Sequence, residues 1–249
     1  MPDELSRFQT KGLPWSERAS LGELNAVLSP NDYSLSNKFL HSIHLFGAQV
    51  ALSLDPKPGV LLDFGCGTGR FIRFFAQHGY TVIGTEVTPE MLVEVQKFGL
   101  PDSARLYLTD GIHIPVPDQS IDMIWCCGVL RYSLFIPDPV YQDIAREMYR
   151  ILKPGAYVVN LEMYVNTPPD IFTHDFEHVG FITKDIRVLQ RYGARLERLI
   201  QWHRLPSIVV RIGAKLCATY RYWFDSATKQ RGPTGLCDYL FIWNKPGLN

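Results

Sequence analysis

The chain has 249 residues, 46% hydrophobic and 20% charged, with 25 Lys and Arg balancing 25 Asp and Glu. That is enough apolar sequence for one α/β domain with appendages, and a net charge of zero supplies no global field toward nucleic acid. Acidic Asp3 and Glu4 do not suit a secretory leader, no uncharged apolar run reaches membrane-spanning length, and Cys66, Cys126, Cys127, Cys217 and Cys237 form no Cys-x-x-Cys. A reduced, cytoplasmic protein without a membrane span is expected.

In chain order, the first 59 residues lack a β pattern, and residues 1–55 are read as one N-terminal unit. Ser16 to Leu28 and Leu35 to Leu54 read as helices broken at Pro30-Asn31-Asp32, and are expected to form an N-terminal helical lid. Pro56-Lys57-Pro58-Gly59 opens a second unit, residues 56–249. Val60 to Gly69 (V-L-L-D-F-G-C-G-T-G) reads as a buried strand ending in a carboxylate, a tight turn and a helix start. A Cβ at Gly65 or Gly67 would hold a ligand off the backbone. Phe71, Ile72, Phe74 and Phe75 give the helix its apolar face, and Gly79 ends it.

Tyr80 to Thr85 is the second strand, followed by Thr88 as N-cap and Pro89 at the first helical position. Ala104 to Leu108 is the third strand, Asp110 to Ser120 a loop, and Ile121 to Cys127 the fourth strand. After Asp138-Pro139, a helix carries Val140, Ile144, Met148 and Ile151 on one face and stops before Lys153-Pro154-Gly155. Ala156 to Tyr164 is the fifth strand. Asn166 to Phe181 reads as a loop or partial helix, and Thr183 as the cap of a helix to about Arg191. Ala194 to His203 reads as a sixth strand, residues 206–236 as an insertion, and Cys237 to Asn244 as the last strand. Alternating strands and helices with short loops predict a doubly wound, mostly parallel sheet.

Several motifs in this order resemble the class I S-adenosylmethionine (SAM)-dependent methyltransferases of the small-molecule, methyltransferase-11-like type. Asp63-Phe64-Gly65-Cys66-Gly67-Thr68-Gly69 is similar to that family's acidic-x-Gly-x-Gly-x-Gly loop, and Glu86 stands at the end of strand two. Thr109-Asp110-Gly111, Pro115-Val116-Pro117-Asp118 and Ile121-Asp122 resemble its region around strand four, and Arg150 to Ala156 its turn into strand five. The resemblance implies a Rossmann-like α/β fold with seven strands. The seventh is antiparallel and lies between strands five and six, with the insertion between strands six and seven. A nicotinamide-type Rossmann domain would instead want Gly-x-Gly-x-x-Gly.

The resemblance also implies a site. Glu86 would anchor the ribose hydroxyls and Val87 would pack on the adenine. The backbone of Gly65, Cys66, Gly67 and Gly69 would carry the methionine portion, with Asp63 beside it. Asp110 would accept from the adenine amine and Gly111 would serve a ring nitrogen. Cys127, with Gly128, would face the sulfonium. Arg70 could pair with the cofactor carboxylate or face solvent, and Tyr33 could reach the same carboxylate or merely pack. The product would be S-adenosylhomocysteine.

The acceptor side is less clearly written. Methyl transfer is an in-line displacement that needs positioning and, for some acceptors, a general base, but no metal. Tyr132 and Arg131 stand where many relatives carry a histidine after strand four. In the loop after strand five, His174 and His178 are candidate bases. They are also a local polar pair that could ligate a metal if helical. His113 and Glu162 are weaker candidates. A small-molecule or lipid-like acceptor methylated at oxygen is expected. A nucleic-acid or protein substrate and a non-catalytic SAM-binding partner are the alternatives. Between Lys184 and Arg231, eleven cations face three carboxylates, a local surplus of eight. Residues 204–224 are basic, amphipathic and aromatic, which fits peripheral contact with an anionic membrane, a cap packed on its own domain or a dimer contact.

Overall fold

The computed structural model describes residues 14–28, 34–55, 57–130, 140–165, 169–191, 206–224 and 236–247. Its seven strands are β1 (Val60–Phe64), β2 (Thr81–Glu86), β3 (Ala104–Leu108), β4 (Ile121–Cys127), β5 (Leu152–Val165), β6 (Ile182–Arg191) and β7 (Cys237–Asn244). They form one sheet of order β3-β2-β1-β4-β5-β7-β6. The pairs from β3 through β5 are parallel, and β7 runs antiparallel to both β5 and β6. The order reverses between β1 and β4, and in an open parallel sheet that reversal opens a crevice beyond the strands' carboxyl ends.

The helices are α1 (Trp15–Arg18), α2 (Glu23–Val27), α3 (Ser34–Leu54), α4 (Arg70–Gln77), α5 (Pro89–Lys97), α6 (Val140–Ile151), α7 (Asp170–Val179) and α8 (Ser207–Phe224), with a 3-10 turn at Ala19–Leu21. On one face of the sheet, α4 places Phe71 and Phe75 edge-on against the fully buried Trp125, with ring centroids 4.9 and 5.7 Å away. Ile43, Ala48 and Ala51 of α3 and Val210, Ala214 and Ala218 of α8 complete that core. On the other face, α6 buries Ile144, Ala145, Met148 and Ile151, and Phe176 of α7 stacks on Trp243 at 4.1 Å. Each large apolar side chain so buried contributes on the order of 1.5–3 kcal/mol. β7 lies between two strands and under helices on both faces, and every one of its residues is buried, which is why Tyr239 to Trp243 run apolar without alternation.

The C-terminal third differs from the sequence reading. Residues 182–191 are β6, not a helix capped by Thr183. The β-branched Ile182, Thr183, Ile186 and Val188 pair along β7, and that tertiary ladder outweighs the local cap signal. The predicted sixth strand, Ala194 to His203, lies outside the described residues. Residues 170–179 form a full helix, ended by Gly180 at φ +113°. The link between β6 and β7 carries α8, which packs on α3 and β6.

Candidate functional site

The crevice at the switch point is an open cleft of about 820 Å³ measured out to its mouth. Its floor is the glycine turn after β1. Gly65, Gly67 and Gly69 all have positive φ, of 69°, 53° and 75°. A Cβ on Gly67 would lie 2.7 Å from Val27 Cγ1 of α2, and one on Gly65 would lie 2.5 Å from Val129 Cγ2. The glycines therefore do two things. They permit the left-handed turn, and they let α2 and the segment after β4 close down on it.

Glu86, at the carboxyl end of β2, forms one wall. Its Oε2 accepts the Gly67 N–H at 2.9 Å, and its Oε1 accepts the Val87 and Thr88 N–H groups at 2.8 and 3.0 Å. Burial raises its pKa, and those three backbone donors oppose the rise. The Thr88 side chain donates to the same carboxylate, which therefore faces the cleft held in place by four donors. Val87, Met91, Val27 and Trp15 supply an apolar wall, with Thr109 and Gly111 beside it.

Asp63 lies beneath the turn, 1% exposed, and its Oδ2 has no hydrogen-bond partner among the described residues. Burial pushes its carboxyl up to about 7. Arg70 pulls it down, and the Glu86 charge pushes it further up. An unpartnered buried carboxylate below a glycine cradle suits a cationic ligand, so the residues present fit SAM, which carries both a sulfonium and an ammonium.

Arg70 is buried rather than solvated or free to meet a cofactor carboxylate. Its Nη1 donates to Nδ1 of His41 at 3.3 Å and of His44 at 3.2 Å, and its Nη2 donates to Cys127 Sγ at 3.4 Å. Guanidinium has no acceptor, so both imidazoles accept through Nδ1 and carry their proton on Nε2. Burial, and next the Arg70 charge, holds His41 down at about 3 and lowers His44 as well. His44 Nε2 faces Asp238 Oδ2 of β7 at 3.9 Å. This cluster escaped the sequence reading. Its members are far apart in the chain, and the one local signal is the His41-x-x-His44 spacing on one helix face.

Several expected residues are placed elsewhere. Asp110 does not line the cleft: Oδ1 accepts the Ile112 and His113 N–H groups, and Oδ2 meets His113 Nδ1 at 2.6 Å. It closes its own turn, as a short side chain near its own backbone tends to. His113 is exposed on that turn. His174 and His178 lie on the exposed side of α7, rings stacked at 6.3 Å, away from the cleft. Cys66 points into the core, leaving only its backbone to the turn. Cys127 does line the cleft, but burial pushes its thiol up to about 12, so it is no thiolate. Glu162 is buried and accepts the Leu130 N–H at 2.8 Å. Tyr33, Arg131 and Tyr132 lie outside the described residues. Sequence reasoning missed Tyr141 and Ile144 of α6, which close the far wall with Phe64, Val129 and Leu130.

A family model described as a methyltransferase domain matches residues 62–160. Over 148 residues the chain is 31% identical to methyltransferase GfsG of Streptomyces halstedii, covering 55% of this chain and 51% of that protein. It is 23% identical over 180 residues to a malonyl-[acyl-carrier protein] O-methyltransferase of Marinomonas sp. (strain MWYL1), covering 64% and 65%. The chain thus spans between half and two thirds of the length of these relatives. Among solved structures, a SAM-dependent methyltransferase from Aquifex aeolicus superposes with a TM-score of 0.54 at 16% identity, over 93% of this chain and 99% of that one.

Proposed function

We propose that this chain, which belongs to the class I SAM-dependent methyltransferase family, transfers a methyl group to an oxygen of a small, apolar or lipid-like acceptor. One observation carries the acceptor class. The described residues lining the cleft include no lysine or arginine, and their single charged member is Glu86. A polyanionic substrate would want cations around its phosphates. The walls offered by Phe64, Val129, Leu130, Tyr141 and Ile144 suit an apolar body instead.

In this reading SAM, when bound, supplies an electrophilic methyl group on a sulfonium. Glu86, the charged residue on the cleft wall, accepts from the ribose hydroxyls, with the Thr88 hydroxyl giving up its bond to them. Val87, Met91 and Trp15 pack on the adenine. Gly65 to Gly69 present backbone to the methionine portion, and the Asp63 carboxylate stabilises the positive charge above it. The apolar far wall excludes water and orients the acceptor oxygen, so that positioning supplies much of the acceleration. The malonyl-[acyl-carrier protein] O-methyltransferase relatives support oxygen as the methylated atom.

The test is to incubate the chain with methyl-labelled SAM and fractions of a cell extract. Label is expected in the solvent-extractable or small-molecule fraction, as a methyl ester or ether distinguished by base lability. Label in the protein or nucleic-acid fraction would overturn the acceptor class. Tight SAM binding without transfer to any fraction would favour the non-catalytic alternative.

A further inference from the structure

Helix α8 has two apolar faces, and its own domain uses only one. Val210, Ala214 and Ala218 are 1%, 0% and 0% exposed against α3 and the sheet. At helical spacing on the opposite side, Ile208, Ile212, Leu216, Tyr220, Trp223 and Phe224 are each between 55% and 72% exposed. An ordinary surface helix turns charge to that side. Here exposed Arg211 and Lys215 stand along one border of the stripe, and Arg221 is half-buried near the end of the helix. Isolated exposed apolar residues need no explanation, but a contiguous stripe along five helical turns does.

The electrostatics of the surrounding layer point one way. Neither α8 nor its neighbour α3 contains an aspartate or glutamate, while Lys38, Arg211, Lys215 and Arg221 supply four cations. Asp185 of β6, the strand that packs against α8, is tied to Arg187 at 2.8 Å, and Asp238 of β7 is buried against His44. Trp223, Tyr220 and Tyr222 cluster at one end of the helix, and rings with one polar edge favour the boundary between acyl chains and headgroups. No described helix is long and apolar enough to cross a bilayer.

We propose that the outer face of α8 docks into the surface of an anionic lipid bilayer, with the helix lying in the plane of the headgroups. Apolar burial of the six outer residues drives insertion, and the bordering cations meet anionic headgroups. A second copy of this chain fits the same face poorly. A two-fold contact would set this carboxylate-free layer against itself, cation facing cation. The inference rests on α8 and α3 alone and is independent of the proposed methyl transfer. The helix packs on α3, which carries His41 and His44 of the Arg70 cluster.

The test is co-flotation of the full chain with vesicles of phosphatidylcholine alone or mixed with phosphatidylglycerol. Recovery with the anionic vesicles should exceed recovery with the neutral ones at least tenfold at low salt, and fall as salt rises. Leu216→Asp should reduce it at least tenfold, and Arg211→Ala with Lys215→Ala by on the order of 20-fold. These sites are exposed, so thermal melts of the variants should match the parent. Trp223 supplies a second readout: quenching by lipids spin-labelled near the headgroup should disappear in Trp223→Phe. Equal recovery with both vesicle types, no recovery at all, or undiminished binding of Leu216→Asp would overturn the proposal. So would a concentration-dependent dimer that Leu216→Asp abolishes in the absence of vesicle binding.

Discussion

Replacing Asp63 with asparagine should make the ligand-free protein more stable at alkaline pH, and the pH dependence of that gain is the informative quantity. The carboxyl is raised from the ordinary 3.8 to about 7, chiefly by burial. Between those values the folded chain keeps a proton that the unfolded chain has released, so native stability falls as pH rises through the window. From pH 5 to pH 8 the linkage removes about 2.5 kcal/mol, using about 1.4 kcal/mol per unit. Asparagine carries no such titration, and the burial of its amide adds a constant. Stability of Asp63→Asn minus that of the parent should therefore climb by about 2.5 kcal/mol from pH 5 to pH 8, on the order of 5–10 °C in melting temperature. Urea melts of both proteins at four pH values in that range measure it. A difference flat to within about 0.5 kcal/mol would mean that Asp63 ionises freely in the folded chain, and the argument for a stored charge under the glycine turn would fail. The same variant should bind SAM more weakly, so stability and affinity move in opposite directions.

The other expectations follow from single contacts. Glu86→Ala should weaken SAM binding at least about 100-fold in calorimetry, because hydrogen bonds to a charged group contribute on the order of 1.5–3 kcal/mol each; unchanged affinity would remove Glu86 from the ribose. Gly67→Ala combines a φ of +53° with a Cβ 2.7 Å from Val27. It should cost about 1–2 kcal/mol for the backbone alone, and adding Val27→Ala should recover the steric part and leave the backbone part. A fully stable single variant would contradict the turn geometry. Arg70→Gln should destabilise by roughly 1.5–3 kcal/mol through the lost charge-assisted hydrogen bonds and let the pKa values of His41 and His44 rise, followed by NMR titration; melts indistinguishable from the parent would refute the buried cluster. Alanine at both His174 and His178, on the exposed side of α7, should leave stability within about 0.5 kcal/mol and SAM affinity unchanged. A tenfold loss of affinity would restore them to the site.

What could be read from the sequence was whatever is encoded within about ten residues. The strand, carboxylate and alternating glycines of Val60 to Gly69 carry their own turn geometry, so the cleft floor was legible. β7 was legible because burial on both faces leaves the apolar run Tyr239 to Trp243. β6 was not, since Thr183 gives a cap signal locally and the deciding partner is a strand some fifty residues on. Asp110 reads from sequence as an adenine contact because its residue type and position suit one, yet its carboxylate closes its own turn. The bond from Arg70 to two histidines of α3 could not be read either, because nothing in a helix start specifies which other helix covers it.

The small core shared by α1, α2 and α5 bears on how a ligand gets in. Ala19, Ala26 and Met91, with Trp15 and Val27 against them, form a cluster separate from both faces of the sheet. Trp15, Val27 and Met91 also line the cleft. By contrast α3 is anchored, with Ile43, Ala48 and Ala51 fully buried and His41 and His44 bonded to Arg70. The small cluster holds far fewer buried apolar side chains than the core that α3 joins, so α1 and α2 are the elements expected to loosen first around the open cleft. The side chains that give way in that motion are the ones the ligand then touches. Occupancy of the cleft and closure of this corner are therefore one equilibrium, and protection of Ala26 and its neighbours from amide exchange should rise with bound SAM while that of α3 stays constant.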